Sequence, residues 1–278
     1  YSCLIHGLCA SSRKNEAILL FGEMLEMNVI PNVVTYTILI DSFCKDGMVR
    51  EAKAIVKVMM QKGQHPDIVT YNSLLDGYCL RNELDKARNL FNSLGSMECE
   101  PTVYTYTMMI NGYCKSGRFS EAKQLLNDMI KKDLVPNTVT YTTLVDGFCR
   151  AGRFKDAETV LKEMCHHGQL PNVVTYNSLL NGWCKIGHLD KALALFQEIK
   201  SSRLKPDVVM YTILIDSLWK AGRGKEARDM FSELSKERDL QPNSYTYTTV
   251  IDGLCRHGLV DEAYDLFRTM ERSIFPPD

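Results

Sequence analysis

From residue 33 the apolar positions fall into two stripes of helical period. Tyr36, Leu39, Ile40 and Phe43 stand at i, i+3, i+4 and i+7, and Ala52, Ile55, Val56 and Met59 repeat that spacing. Each set forms one apolar face on a helix and leaves the polar side chains on the other. Between them, Lys45-Asp46-Gly47 ends the first helix, because glycine takes the left-handed backbone past a helix end without steric penalty. The second helix stops before Pro66, which cannot continue a helix and holds the residue before it extended. Residues 33–67 therefore read as helix, turn, helix.

The same pattern recurs along the chain. Tyrosine returns at Tyr36, Tyr71, Tyr106, Tyr141, Tyr176 and Tyr211 in steps of 35 residues, then at Tyr247 after 36. Proline keeps the beat from Pro31 to Pro242, and cysteine from Cys9 to Cys255, with Trp219 replacing it once. Gly117, Gly152, Gly187, Gly222 and Gly258 match Gly47, and Asn82 substitutes once. A small residue holds one place in every second helix, from Ala17 to Ala263, which predicts close approach of a neighbouring helix. The chain divides as a single repeat array over 1–278: a partial repeat 1–32, then 33–67, 68–102, 103–137, 138–172, 173–207, 208–243 and 244–278. The extra residue falls near Ser235–Gln241, where a loop can absorb it.

One such helix pair cannot bury both of its apolar faces, so neighbours must stack. The expected fold is an all-α solenoid of helix-turn-helix repeats, with about sixteen helices, no sheet, and the first helices lining one surface.

Composition narrows the function. There are 33 basic and 34 acidic side chains and a formal net charge of −1, which excludes an indiscriminate basic coat for nucleic acid. No apolar run is long enough to span a membrane. The ten cysteines contain no Cys-x2-Cys pair, so no zinc site is expected, and Cys165-His166-His167 is an isolated cluster. No phosphate-gripping glycine loop, nucleophile elbow or paired-carboxylate site is present, and neither an enzyme nor a cofactor is expected. No targeting peptide is recognisable. The chain opens inside a repeat, as expected of a piece of a longer array.

Segments such as Val33 to Lys45 (VVTYTILIDSFCK) and Val173 to Lys185 (VVTYNSLLNGWCK) resemble the pentatricopeptide repeat family across the whole chain. The uniform 35-residue units are similar to its P class, and the Asp-Gly-Phe/Tyr-Cys-Lys wording to its restorer-of-fertility-like members in plant mitochondria. The resemblance implies a right-handed superhelix that binds single-stranded RNA, one base per repeat, in organellar RNA processing, stability or translation. It implies a mitochondrial address, with a chloroplast one less favoured. A protein partner such as a nuclease is left open. The alternative from another class is a helical scaffold for protein–protein interaction.

With Val33 as repeat position 1 and Asp67 as position 35, four positions are candidates. Position 5 is Ser2, Thr37, Asn72, Thr107, Thr142, Asn177, Thr212 and Thr248. These are poor helix-interior residues, so local propensity does not explain them. They read either as a solvated polar row or as hydrogen-bonding groups aimed at bases. Position 35 is Asn32, Asp67, Thr102, Asn137, Asn172, Asp207, Asn243 and Asp278. A helix N-cap needs these residue types, and the resemblance adds a share in base selection; the two roles are compatible. Position 2 is Val34, Val69, Tyr104, Val139, Val174, Val209 and Tyr245, read either as packing against the next repeat or, by resemblance, as wedges between bases. Position 13 carries Lys45, Lys115, Arg150, Lys185, Lys220 and Arg256. These suit a helix C-terminus and can pair four residues back, as in Asp41–Lys45 and Asp216–Lys220, or they can contact one phosphate per repeat. By the family's two-residue code the pairs spell 5′-AG(C/U)AAUAG-3′, with N- to C-terminus running 5′ to 3′.

Overall fold

The computed structural model describes residues 1–202, 204–237 and 239–272. Among them are sixteen α-helices and no strand. In chain order they are α1 (Ser2–Ala10), α2 (Lys14–Glu26), α3 (Val33–Lys45), α4 (Val49–Gln61), α5 (Ile68–Leu80), α6 (Leu84–Ser93), α7 (Val103–Lys115) and α8 (Phe119–Lys131). They continue as α9 (Thr138–Arg150), α10 (Phe154–His166), α11 (Val173–Lys185), α12 (Leu189–Ser201), α13 (Val208–Lys220), α14 (Gly224–Lys236), α15 (Ser244–Arg256) and α16 (Val260–Arg272).

Each first helix from α3 onward begins at repeat position 1. The turn between the helices of a pair is made by a left-handed residue, such as Gly47 at φ 73° or Asn82 at φ 57°. Asparagine tolerates that region better than other side chains with a Cβ.

The molecule forms two compact halves, Tyr1–Thr143 and Leu144–Asp278. In the N-terminal half α1, α3, α5 and α7 pack in series, each against its own second helix. In the C-terminal half α11, α13 and α15 do the same. At four junctions neighbouring repeats are joined by an aromatic pair. The ring of repeat position 4 meets a phenylalanine of the preceding second helix edge-on: Phe21–Tyr36 at 5.4 Å, Phe91–Tyr106 at 5.0 Å, Phe196–Tyr211 at 5.0 Å and Phe231–Tyr247 at 5.6 Å. Such pairs contribute about 0.5–1.5 kcal/mol beyond their burial. The repeated alanines, from Ala17 to Ala263, are all buried, as their spacing predicts.

The first helices approach closely through a second device. The position 12 side chain of one repeat sits on the position 10 residue of the next. A Cβ on Gly77 would lie 2.8 Å from Cys44 Cβ, one on Gly112 would lie 2.7 Å from Cys79 Sγ, and one on Gly253 would lie 2.4 Å from the Trp219 ring. The thiols here are packing groups. Burial pushes Cys44, Cys79 and Cys149 up to about 12, so they stay protonated. None of the ten cysteines forms a disulfide, and no cluster that could hold a metal is found among the described residues. No described helix is long and apolar enough to cross a membrane.

Candidate nucleic-acid interface

Position 35 is the N-cap of the next first helix. Its side-chain oxygen accepts the backbone N–H of position 3: Thr35 to Asn32 at 2.9 Å, Thr70 to Asp67 at 2.8 Å, Thr140 to Asn137 at 3.0 Å, Thr175 to Asn172 at 3.0 Å, Met210 to Asp207 at 2.9 Å and Thr246 to Asn243 at 2.9 Å. The capping expected from residue type is therefore real. It also leaves one terminal atom of each side chain pointing away from the helix. Because a backbone N–H can only donate, the cap holds the asparagine oxygen inward and turns the Nδ2 outward. Asp67 in the same place leaves its Oδ2 outside the cap, whereas both oxygens of Asp207 are also reached by Asn177. Asparagine and Asp67 thus present opposite hydrogen-bonding characters from one geometry. Asp278 lies outside the described residues, so its pairing with Thr248 has no structural counterpart here.

Position 5 is held in four repeats, while Thr248 is exposed and, among the described residues, bonds only the Ser244 carbonyl of its own helix. In those four the hydroxyl meets the hydroxyl of position 3 in the following repeat: Ser2–Thr35 at 2.6 Å, Thr37–Thr70 at 2.8 Å, Thr107–Thr140 at 2.8 Å and Thr212–Thr246 at 2.8 Å. Asn177 differs. Its Nδ2 donates directly to both oxygens of Asp207, at 3.3 and 3.2 Å. The Oδ1 atoms of Asn72 and Asn177 are buried without a hydrogen-bond partner. A buried acceptor left unsatisfied costs about 1–3 kcal/mol, which a ligand donor would recover. Thr142 lies in the N-terminal half and Asn172 in the C-terminal half.

Position 2 does not pack into the core. All seven side chains are exposed, from 49% at Val209 to 71% at Tyr245, with Tyr104 at 66%. In the N-terminal half one groove is lined by Val34, Val69 and Tyr104 together with Thr37, Asn72 and Asp67. A second brings Tyr104 and Val139 beside Thr107 and Asn137. In the C-terminal half Val209 and Tyr245 share a groove with Thr212, Asn243, Lys185 and Lys220. Within each half, residues of the predicted classes therefore line common clefts.

Position 13 divides into two groups. Lys45, Arg150, Lys220 and Arg256 pair with Asp41, Asp146, Asp216 and Asp252 at 2.6–2.9 Å. Lys115 and Lys185 have Asn111 and Asn181 four residues back and make no ion pair among the described residues. Lys115 acts at longer range on Asp76, whose carboxyl is raised by burial and by Asp41.

Sequence reasoning missed position 3. Thr35, Thr70, Thr105, Thr140, Thr175 and Thr246 are fully buried at the third residue of their helices. Threonine there is as poor a helix former as at position 5, and that recurrence was the available signal.

Stacked helix pairs with a common row of capped polar side chains define a helical-repeat protein. The model of the PPR repeat family matches residues 1–45, 31–80, 66–115, 105–150, 136–185, 171–220, 206–256 and 242–278, and the chain belongs to that family. No curated protein matches the sequence. Among solved structures, the maize pentatricopeptide repeat protein PPR10 in complex with an 18-nt psaJ RNA element is similar, with a TM-score of 0.59 and 23% identity over 98% of this chain and 45% of that one. Nuclear proteinaceous RNase P 2 from Arabidopsis thaliana is similar at a TM-score of 0.51 and 14% identity, over 66% of this chain and 41% of that one. Both likenesses show the fold, and the chain spans less than half the length of either protein.

Proposed function

We propose that the first-helix surface binds single-stranded RNA with one base per repeat, and that positions 5 and 35 choose the base. The observation that carries this reading is the outward atom at position 35. The Watson–Crick edges of G and U offer a ring N–H, whereas those of A and C offer a ring acceptor. An outward aspartate oxygen suits the first pair and an outward asparagine Nδ2 the second. Position 5 then separates purine from pyrimidine by reach, threonine being shorter than asparagine. Thr102 presents a hydroxyl that can donate or accept, which accounts for an unresolved C/U at the third base. The target on this reading is 5′-AG(C/U)AAUAG-3′, its last base resting on Asp278.

The exposed side chains at position 2 would separate successive bases, since splayed single strands are held on apolar and aromatic platforms. The RNA complex of PPR10, a protein of the same fold, supports RNA as the ligand class. The P-class, restorer-of-fertility-like reading places the protein in mitochondria, acting on particular transcripts by occupancy. Selection from a randomised RNA pool tests the proposal. The bound fraction is expected to enrich the sequence above, and Asp67→Asn to change the second base from G to A. A pool with no enriched sequence would favour the scaffold alternative.

A further inference from the structure

We infer that the buried threonine at repeat position 3 is a positioning residue for base selection in the preceding repeat. This rests on the reading of positions 5 and 35 as base-selecting.

The hydrogen bonds form a directed chain. Thr70 Oγ1 donates to Asp67 Oδ1 at 2.9 Å, and Thr37 Oγ1 lies 2.8 Å from Thr70 Oγ1. A hydroxyl has one proton. With Thr70's proton given to a carboxylate, which only accepts, the contact between the two hydroxyls requires Thr37 to donate. Thr37 then has only lone pairs left for a ligand. The other link fixes Asp67: its Oδ1 holds both the backbone N–H and the hydroxyl of Thr70, so Oδ2 faces out. One side chain, fully buried and belonging to the next repeat, therefore sets the proton on position 5 and the rotamer of position 35.

The same links recur. Thr35 donates to Asn32 at 2.8 Å and meets Ser2. In the C-terminal half Thr246 donates to Asn243 at 2.9 Å and lies 2.8 Å from Thr212, whose own proton has a second acceptor in the Val208 carbonyl at 2.7 Å. One repeat lacks the position 3 hydroxyl and shows what it does. Position 3 is Met210 in the repeat after Asn177, and there the position 5 side chain turns onto Asp207 itself. Where position 5 is threonine, too short for that contact, the link runs through the position 3 hydroxyl.

Thr70→Val tests the role, because valine keeps the shape and the capping N–H and removes only the hydroxyl. Two RNAs carrying the proposed target and differing only in G or A at the second base, and a second pair differing only in U or G at the sixth, are titrated against the 278-residue chain. The preference for G is expected to fall about tenfold in the Thr70→Val chain, the scale of one hydrogen bond to a charged group. Discrimination at the sixth base, read by Asn177 and Asp207, is expected to stay at the wild-type ratio, and Thr70→Ser to restore the preference for G. A Thr70→Val chain with wild-type preference overturns the inference, as does equal loss of discrimination at both bases. If the wild-type chain does not separate the two RNAs, the base-selecting reading falls, and this inference with it.

Discussion

Asn177 and Asp207 lie thirty residues apart in sequence and share two hydrogen bonds, the asparagine Nδ2 reaching both carboxylate oxygens. Asp207 Oδ1 also accepts the Met210 backbone N–H, and Asn177 Oδ1 is left buried and unmatched. The pair meets a ligand as acceptors, which suits the ring N–H of uracil.

Converting this pair to a purine reader takes two changes. Asn177→Thr alone removes the reach to Asp207, and Met210 offers no hydroxyl to replace it. The single variant is expected to lose its preference for U without a sharp new one. Asn177→Thr with Met210→Thr is expected to prefer G, by about 1–3 kcal/mol if the bonds resemble direct base readout. Sequencing of RNA retained from a pool randomised at the sixth base checks both outcomes.

Phosphate contact should follow the ion pairs. Lys115→Ala and Lys185→Ala are each expected to reduce the salt slope of binding by about 0.7–1. Lys45→Ala and Lys220→Ala remove cations already held by Asp41 and Asp216 and should change it less. Titrations at several salt concentrations separate the two groups. Equal slopes for all four variants would reject the division.

Tyr104 is exposed beside Thr107 and Asn137 in one groove and beside Asn72 in another. Tyr104→Ala should weaken RNA binding by about 1–3 kcal/mol if a base stacks there. Thermal unfolding should hardly move, since little of the ring is buried. A stability loss with unchanged affinity would assign Tyr104 to packing.

Asp76 makes stability depend on pH. Burial and the nearby Asp41 raise its folded pKa above the usual carboxylate value, with Lys115 and Lys45 opposing. The folded state then binds more protons than the unfolded state between the two values, so this group's contribution to stability falls as pH rises through that window. Asp76→Asn should be more stable than wild type at neutral pH, and the difference should shrink in acid. Denaturant melts at pH 7 and pH 4 check the sign. RNA affinity should also rise, because a negative charge near Lys115 is removed.

Two glycines should respond oppositely to alanine. Gly22 lies in a helix with nothing within 4 Å of an added Cβ, so Gly22→Ala should stabilise by about 0.5–1 kcal/mol. Gly253→Ala would drive a methyl into Trp219 and should destabilise by about 1–3 kcal/mol or more. Unfolding of Gly253→Ala with and without Trp219→Cys measures how much of the loss is that contact.

The helices were legible because each carries its own signals: the stripe from Tyr36 to Phe43, the left-handed Gly47, the cap at Asp67. The capping role of position 35 could be read from residue type alone. The link from Thr37 to Thr70 could not, because it depends on which residues of consecutive first helices face each other, and periodicity within one helix does not carry that register. The exposure of Val34 and Val69 was hidden for a similar reason. Valine beside an apolar stripe looks like core until the neighbour's position is known. The split at position 13 was within reach, since Asn111 and Asn181 stand where other repeats have aspartate.

The connection 237–243 is one residue longer than 167–172 or 202–207, yet Thr212 and Thr246 meet at the same 2.8 Å as Thr37 and Thr70. The extra residue leaves the next cap unchanged, Asn243 accepting the Thr246 N–H at 2.9 Å. Spacing along the array is thus counted in helix pairs, whatever the number of residues between them. Insertions confined to these connections could accumulate without a frameshift in whatever the array reads, whereas a single residue added within a first helix would throw its own rung out of line.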